Sequence, residues 1–331
     1  MCLGFPTLRS AFAFSILLLA ALAGMSPGSY AADIWPARTV RLIVPFPAGS
    51  ANDSAARLYA EGLSKRWGKP VVVENRPGAD GSIGTGVFAN ARDDHTLLYG
   101  TASTITVNPF LQDSLPYDPA RDLVPIGAGA SAILVVAVYG ELPVHSLQDL
   151  TNLAQAKPGQ LNWGSGPSLP YFVFAALIKR RGLSMVHIPY RDAASPAADL
   201  GEGRVHVLSQ SLQGVAAPVS SGKARIIAVM SPQRAPSLPD VSTVAESGFP
   251  EMEMEGLSGL FGWRDMPTEL RDRLSADMQA VAQDAELRAR VAASGQRVLG
   301  STAAEFAGAI EWQRARVAEI ARIIDLKSGI R

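Results

Sequence analysis

A chain of 331 residues that is 47% hydrophobic can bury two ordinary cores by itself, and its single cysteine leaves no intrachain disulfide to assist. Lys plus Arg total 30 and Asp plus Glu total 30, so there is no bulk basicity to attract nucleic acid or an anionic membrane. Beyond the N-terminus no apolar run reaches roughly eighteen residues without a charge or a break, which excludes a spanning helix there.

The chain opens with Arg9 ahead of AFAFSILLLAALAGM, a run too short and too rich in small residues for a membrane span. Ser29 and Ala31 follow at A-x-A-like positions, so 1–31 reads as a cleavable secretory signal and the mature chain begins at Ala32. An uncleaved anchor is the alternative. Cys2 lies ahead of the apolar run, so the mature chain carries no thiol.

Residues 39–63, TVRLIVPFPAGSANDSAARLYAEGL, pass from a buried strand through a small-residue loop into an amphipathic helix, about Asp53 to Trp67, that Gly68 and Pro70 end. VVVE is a second strand, after which Pro77 and Gly78 fit a type II turn and Ser82 a helix cap. HTLLYG leads into a second polar loop, TASTITVNP, in which Asn108 before Pro109 reads as a turn residue. From about 132 the pattern restarts with AILVVAVYG. A helix over 147–156, strand QLNWGS, loop GPSLP, helix YFVFAALIKRRG and strands MVHIPY, RVHVLSQS and ARIIAVM follow. SLPDVSTVAESGFPEMEMEG is loop-rich, LSGLFGW is one more strand, and 270–281, 286–294 and 303–324 are helical. This alternation predicts an α/β fold with parallel strands and crossover helices. A chain that leaves one lobe, builds another and returns predicts lobes of 32–132 with 257–331 and of 133–256, which close on a ligand by hinge motion.

The start of the first helix offers unpaired N–H groups and a positive dipole end, which suit an anionic ligand. Gly49 can take a positive φ and admit a carboxylate to the backbone, Ser50 and Asn52 can donate, and Phe46 can wall an apolar body. Asp53 reads as a cap or an organiser of water. Ser103 and Thr104, with Thr101, follow a strand facing the same cleft. No enzyme motif forms: Ser165 has Trp163 and Pro167 where a nucleophile elbow needs glycines. His95, His145, His187 and His206 show no metal-ligand spacing, and Gly78, Gly81, Gly84 and Gly86 lack the dinucleotide order, so neither metal nor cofactor is expected.

PFPAGSANDSAARL, VVVENRPGADGSIG, LPYDPARDLVPIG, AKPGQLNWGSG, MVHIPY, SGKARIIAV and SLPDVSTVAESGFP resemble, in order and spacing, the signatures of the periplasmic solute-binding proteins of tripartite tricarboxylate transporters, the Bug family. The resemblance implies a type II periplasmic-binding-protein fold of two doubly wound lobes joined by two crossovers, a Venus flytrap. It also implies a periplasmic protein that captures a small mono- or dicarboxylate and delivers it to a two-component membrane permease; a monomer is the default for a carrier that must diffuse to that permease, and with no enzyme motif formed, a non-enzyme is expected. The family's first ligand loop falls on 45–53, including Phe46, Ala48, Gly49, Ser50, Asn52 and Asp53, with Ser50 where the family has a second glycine. Its second loop falls on Gly164, Ser165, Gly166, Pro167, Ser168, Leu169, Pro170 and Tyr171, shortened, with Ser168 at the family's Thr and Tyr171 at its His. Two prolines remove donors there, and the Tyr hints at a ligand with an aromatic or longer apolar part. Gln210 stands where relatives carry Asp, which disfavours an amino-acid ligand. A carboxylate sensor for a signalling membrane protein and a secreted hydrolase using Ser165 are the alternatives.

Overall fold

A computed structural model describes residues 35–166, 168–190 and 195–326. The expected signal segment with its cleavage point, and Pro167 of the second loop, lie outside those residues. The chain divides into two units, Met1–Ala37 and Arg38–Arg331, and every described helix and strand lies in the second.

The first lobe opens with β1 (Val40–Val44), α1 (Ala51–Trp67), β2 (Val71–Asn75), α2 (Ser82–Ala91) and β3 (Thr96–Thr101). The crossover helices bring β2 and β3 parallel to β1. Ser82 is the first helical residue of α2 rather than its cap; Gly81, at φ +85°, holds the capping position. The polar loop expected after β3 is instead two single-turn helices, α3 (Ser103–Thr106) and α4 (Asn108–Leu111), the second started by Pro109 in its first turn.

β4 (Val124–Ala132) then crosses the first sheet with the sequence VPIGAGASA. It carries no β-branched run because large neighbours crowd it: a Cβ on Gly129 would lie 2.7 Å from the Tyr99 Oη and 2.8 Å from the Tyr59 ring. After Ile133 the chain enters a second sheet built of β5 (Leu134–Tyr139), α5 (Leu147–Ala156), β6 (Leu161–Ser165), α6 (Leu169–Arg180), β7 (Met185–Pro189), α7 (Ser195–Gly201), β8 (Val207–Ser211), α8 (Leu212–Ser220) and β9 (Ala224–Val229). Residues 230–255 return to the first sheet through β10 (Gly256–Gly262), followed by α9 (Thr268–Val281), α10 (Ala285–Ala293), β11 (Gln296–Val298) and α11 (Ala303–Ile324).

The strand orders are β11-β4-β10-β3-β1-β2 and β7-β6-β8-β5-β9. Neither sheet is wholly parallel, since β5 runs against β8 and β9, and β10 against β3 and β4. Those antiparallel strands border the two crossings between lobes. α11 begins with a capping box of Thr302 and Glu305, buries Phe306 and Ile310 in the first lobe, and buries Val317, Ile320 and Ala321 beside Phe172, Phe174 and Leu177 of α6. The helix therefore belongs to both cores. At its middle, buried Gln313 accepts from the Thr106 hydroxyl at 3.2 Å and donates to the Glu255 carbonyl at 3.0 Å. No described helix is long and apolar enough to cross a membrane.

Close approach of α2 to the end of β1 depends on Gly84, where a Cβ would lie 2.5 Å from the Arg76 carbonyl oxygen and 2.8 Å from the Pro45 Cα. Backbone cannot yield as a flexible side chain does, so Gly84→Ala is expected to lower the unfolding free energy by about 2 kcal/mol. Urea denaturation checks this; an unchanged midpoint would show that α2 is free to move off the loop.

Candidate functional site

Val44 ends β1, and residues 45–50 turn the chain into α1. Ser50, extended at φ −68°, caps that helix by accepting from the Asp53 N–H at 3.2 Å. Gly49 takes φ +82°, as its lack of a Cβ allows, and its N–H donates to Asp53 Oδ2 at 2.8 Å. Asp53 is 3% exposed and also accepts from Arg57 Nε at 3.0 Å and Asn75 Nδ2 at 2.8 Å. Asn75 donates in addition to the Phe46 carbonyl at 3.1 Å. Burial alone would raise the Asp53 pKa, but the bonds from Arg57, Asn75 and Gly49 outweigh it and hold the carboxyl below its ordinary range. The N–H groups of Gly49 and Asp53 expected to greet an anion are thus already engaged. Asp53 organises the loop, and the cap is Ser50.

Above this loop a cavity of about 190 Å³ lies between the lobes. The first lobe lines it with Phe46, Asn52, Asp80, Thr101, Ser103, Val107 and Asn108, and Ala132, Leu134, Gly256, Ser168, Leu169 and Pro170 complete it along the crossings and the second lobe. The Asn52 amide and the Ser103 hydroxyl engage no described group, so both are available as donors or acceptors. Ser168 precedes α6, and its hydroxyl donates to the Gly166 carbonyl at 3.1 Å. Asn108, 1% exposed, donates to the Asp80 carbonyl at 3.1 Å and to Ser82 Oγ at 2.9 Å. Among the described residues no lysine or arginine lines this cavity.

Phe46, Asn52, Thr101, Ser103 and Ser168, with Leu169 and Pro170 of the second loop, are therefore brought together in one wall, and the other expected site residues are placed elsewhere. Ala48 and Gly49 are exposed outside the wall. Ser50 lines a separate groove of about 650 Å³ against α7 and α8. Thr104 is buried with its hydroxyl donating to the Thr101 carbonyl at 2.8 Å. Gly164 packs beneath the Tyr190 ring, 2.9 Å from the position of a Cβ. Ser165, 1% exposed, holds its hydroxyl at 3.1 Å from the Gly166 carbonyl and 3.3 Å from the Ser209 carbonyl. Tyr171 stacks on Trp163 at 5.6 Å between ring centres and belongs to the second core. Gln210 lies against Gly214, within 2.4 Å of where a Cβ would stand.

Ser165 makes no nucleophile, because His187 Nε2 lies 3.4 Å from its carbonyl oxygen and no described base engages its hydroxyl. Burial lowers the pKa of His187 and of His206, and His206 Nδ1 accepts from the Asn162 N–H at 3.1 Å. His95 sits beside Asp94 in a turn whose Asp93 and Asp94 pair with Arg38. Asp80 is the charged wall residue that the sequence does not single out; Asn108, expected as a turn residue, instead begins α4, which Pro109 in its first turn favours.

An amide at position 53 would keep one acceptor oxygen and could not satisfy Gly49, Arg57 and Asn75 together. Asp53→Asn is expected to lower the unfolding free energy by about 2 kcal/mol at neutral pH. Because the folded-state pKa is lowered, the wild-type advantage is full above the ordinary value of 3.8 and disappears as pH falls through the lowered one. Denaturant melts at several pH values check this; an equal midpoint at neutral pH would remove Asp53 as the loop's anchor.

A model of the tripartite tricarboxylate transporter family receptor matches residues 55–326. The chain is 28% identical to a UPF0065 protein of Bordetella bronchiseptica over 95% of this chain and 93% of that protein. It is 35% identical to BugT of Bordetella pertussis over 66% of this chain and 69% of BugT. Among solved structures, R. palustris Rpa4515 with adipate matches with a TM-score of 0.77 at 29% identity, covering 88% of this chain and 98% of that one. The periplasmic binding protein BugD matches with a TM-score of 0.73 at 26% identity, covering 88% and 99%. The fold is that of these binding proteins, and the family is one of receptors, not enzymes. With a family match that spans most of the chain, this protein belongs to the tripartite tricarboxylate transporter receptor family.

Proposed function

We propose that the protein captures a small carboxylate between its two lobes in the periplasm and delivers it to the membrane permease of a tripartite transporter. The observation that carries this reading is the cavity between the lobes, where the uncommitted Asn52 amide and Ser103 hydroxyl meet an apolar wall of Leu134, Leu169 and Pro170. Such a wall suits a short carbon chain with a polar end. The adipate in the R. palustris relative is a ligand of that shape. Export by the 1–31 signal and diffusion as a monomer complete the proposal.

A ligand that binds only the folded state raises its stability, by about 2.7 kcal/mol at a hundred times Kd. After bound small molecules are removed by unfolding and refolding, at least one mono- or dicarboxylate in a broad panel is expected to raise Tm by several degrees. Asn52→Ala and Ser103→Ala should each weaken that ligand about tenfold, the worth of one hydrogen bond. A panel with no shift would contradict carboxylate capture, and unaltered affinity in both variants would move the site out of this cavity.

A further inference from the structure

We infer that Asp80 determines specificity, selecting an amino carboxylate, a zwitterion whose ammonium group meets the Asp80 carboxylate, over a dicarboxylate. The inference rests on the carboxylate reading above and adds what the other end of the ligand must be.

Asp80 lies in the cavity wall and is the only ionisable side chain among the described residues that line it. The other polar wall groups, from Asn52, Thr101, Ser103, Asn108 and Ser168, are neutral. Its backbone sits in the left-handed region at φ +50°, between Ala79 at +46° and Gly81 at +85°. Neighbours hold it there: Asn108 donates to the Asp80 carbonyl at 3.1 Å, and Gln112 donates to the Ala79 carbonyl at 3.1 Å. Those bonds engage the backbone and leave the carboxyl oxygens without a described partner. Every other acidic group near the first loop is committed, Asp53 to Gly49, Arg57 and Asn75, and Glu74 to Arg41 and Arg76.

Asp80 is an exposed residue of the cavity wall, yet partial burial of its carboxyl raises its pKa. A ligand ammonium supplies the missing counter-charge. A second ligand carboxylate instead brings like charges together in a wall without a described lysine or arginine. The neutral Gln210 had argued against an amino group, but Gln210 packs against Gly214 and takes no part in this wall. The counter-charge comes from the opposite lobe.

The test is calorimetry on the refolded full chain and on Asp80→Asn, a substitution that tolerates the left-handed backbone. The probes are length-matched sets: γ-aminobutyrate, butyrate and succinate, then ε-aminocaproate, caproate and adipate. In the wild type, the amino carboxylate of at least one set should bind at least tenfold tighter than both of its partners. In Asp80→Asn that preference should vanish and the matching dicarboxylate should gain about tenfold. A dicarboxylate that binds the wild type as tightly as its amino partner, or a preference unchanged in Asp80→Asn, overturns the inference and leaves carboxylate capture standing. Failure of every probe and of the wider carboxylate panel overturns both.

Discussion

One buried carboxylate, that of Asp53, ties together the three pieces of chain that make the first half of the cleft. Through Gly49 it holds the loop leaving β1, through Arg57 the first turns of α1, and through Asn75 the end of β2. Asn75 passes the constraint on to the Phe46 carbonyl, so the ring that walls the cavity is placed by a group that never reaches it. The arrangement also changes what the helix start can do. A negative side chain already sits at the positive end of α1 and accepts from the loop, so in the proposed site the Asn52 amide and the Ser103 hydroxyl, not the loop backbone, are the groups left to meet a ligand.

The two lobes contribute unlike chemistry. The first brings Asn52, Asp80, Thr101, Ser103 and Asn108 to the cavity, and the second brings Leu169 and Pro170, with Ser168 its one hydroxyl. Pro170 in the first turn of α6 removes an N–H from the helix start that faces the cleft. In the proposed site the polar contacts therefore come mainly from the first lobe and the apolar cover from the second. Two crossings of different character join them. One is the single residue Ile133 between β4 and β5; the other, 230–255, is held to α11 by Gln313 and by Arg316, which donates to the Glu251 carbonyl at 3.0 Å.

The elements legible in the sequence were those with local periodicity, such as α1, α5, β6, β7 and α11. β4 was invisible because its Gly and Ala residues answer to Tyr59 and Tyr99, which are distant in the chain. β11 spans only Gln296–Val298, too short for a pattern. The same division runs through the cleft. Phe46, Asn52, Ser103 and Ser168 stand beside strand ends or at helix starts, where topology alone directs a side chain to the cleft. Thr104 and Tyr171 lie one to three residues from such positions, and there the facing depends on tertiary packing: Tyr171 turns inward because Trp163 and His187 offer it an aromatic pocket. Ser165 does end β6, but its hydroxyl is buried against the Gly166 and Ser209 carbonyls. Asp80 is reached only when the turn after β2 is folded against α4.

In the proposed mode of binding, both lobes grip one ligand at the cavity between Phe46 and Pro170. Hydrogen–deuterium exchange, with and without a saturating carboxylate identified by its stabilising effect, tests it directly. Slowed exchange is expected together in 49–54, 101–108 and 168–174, on both sides of the cleft. Protection confined to one lobe, or centred on the groove beside α7 and α8, would contradict it.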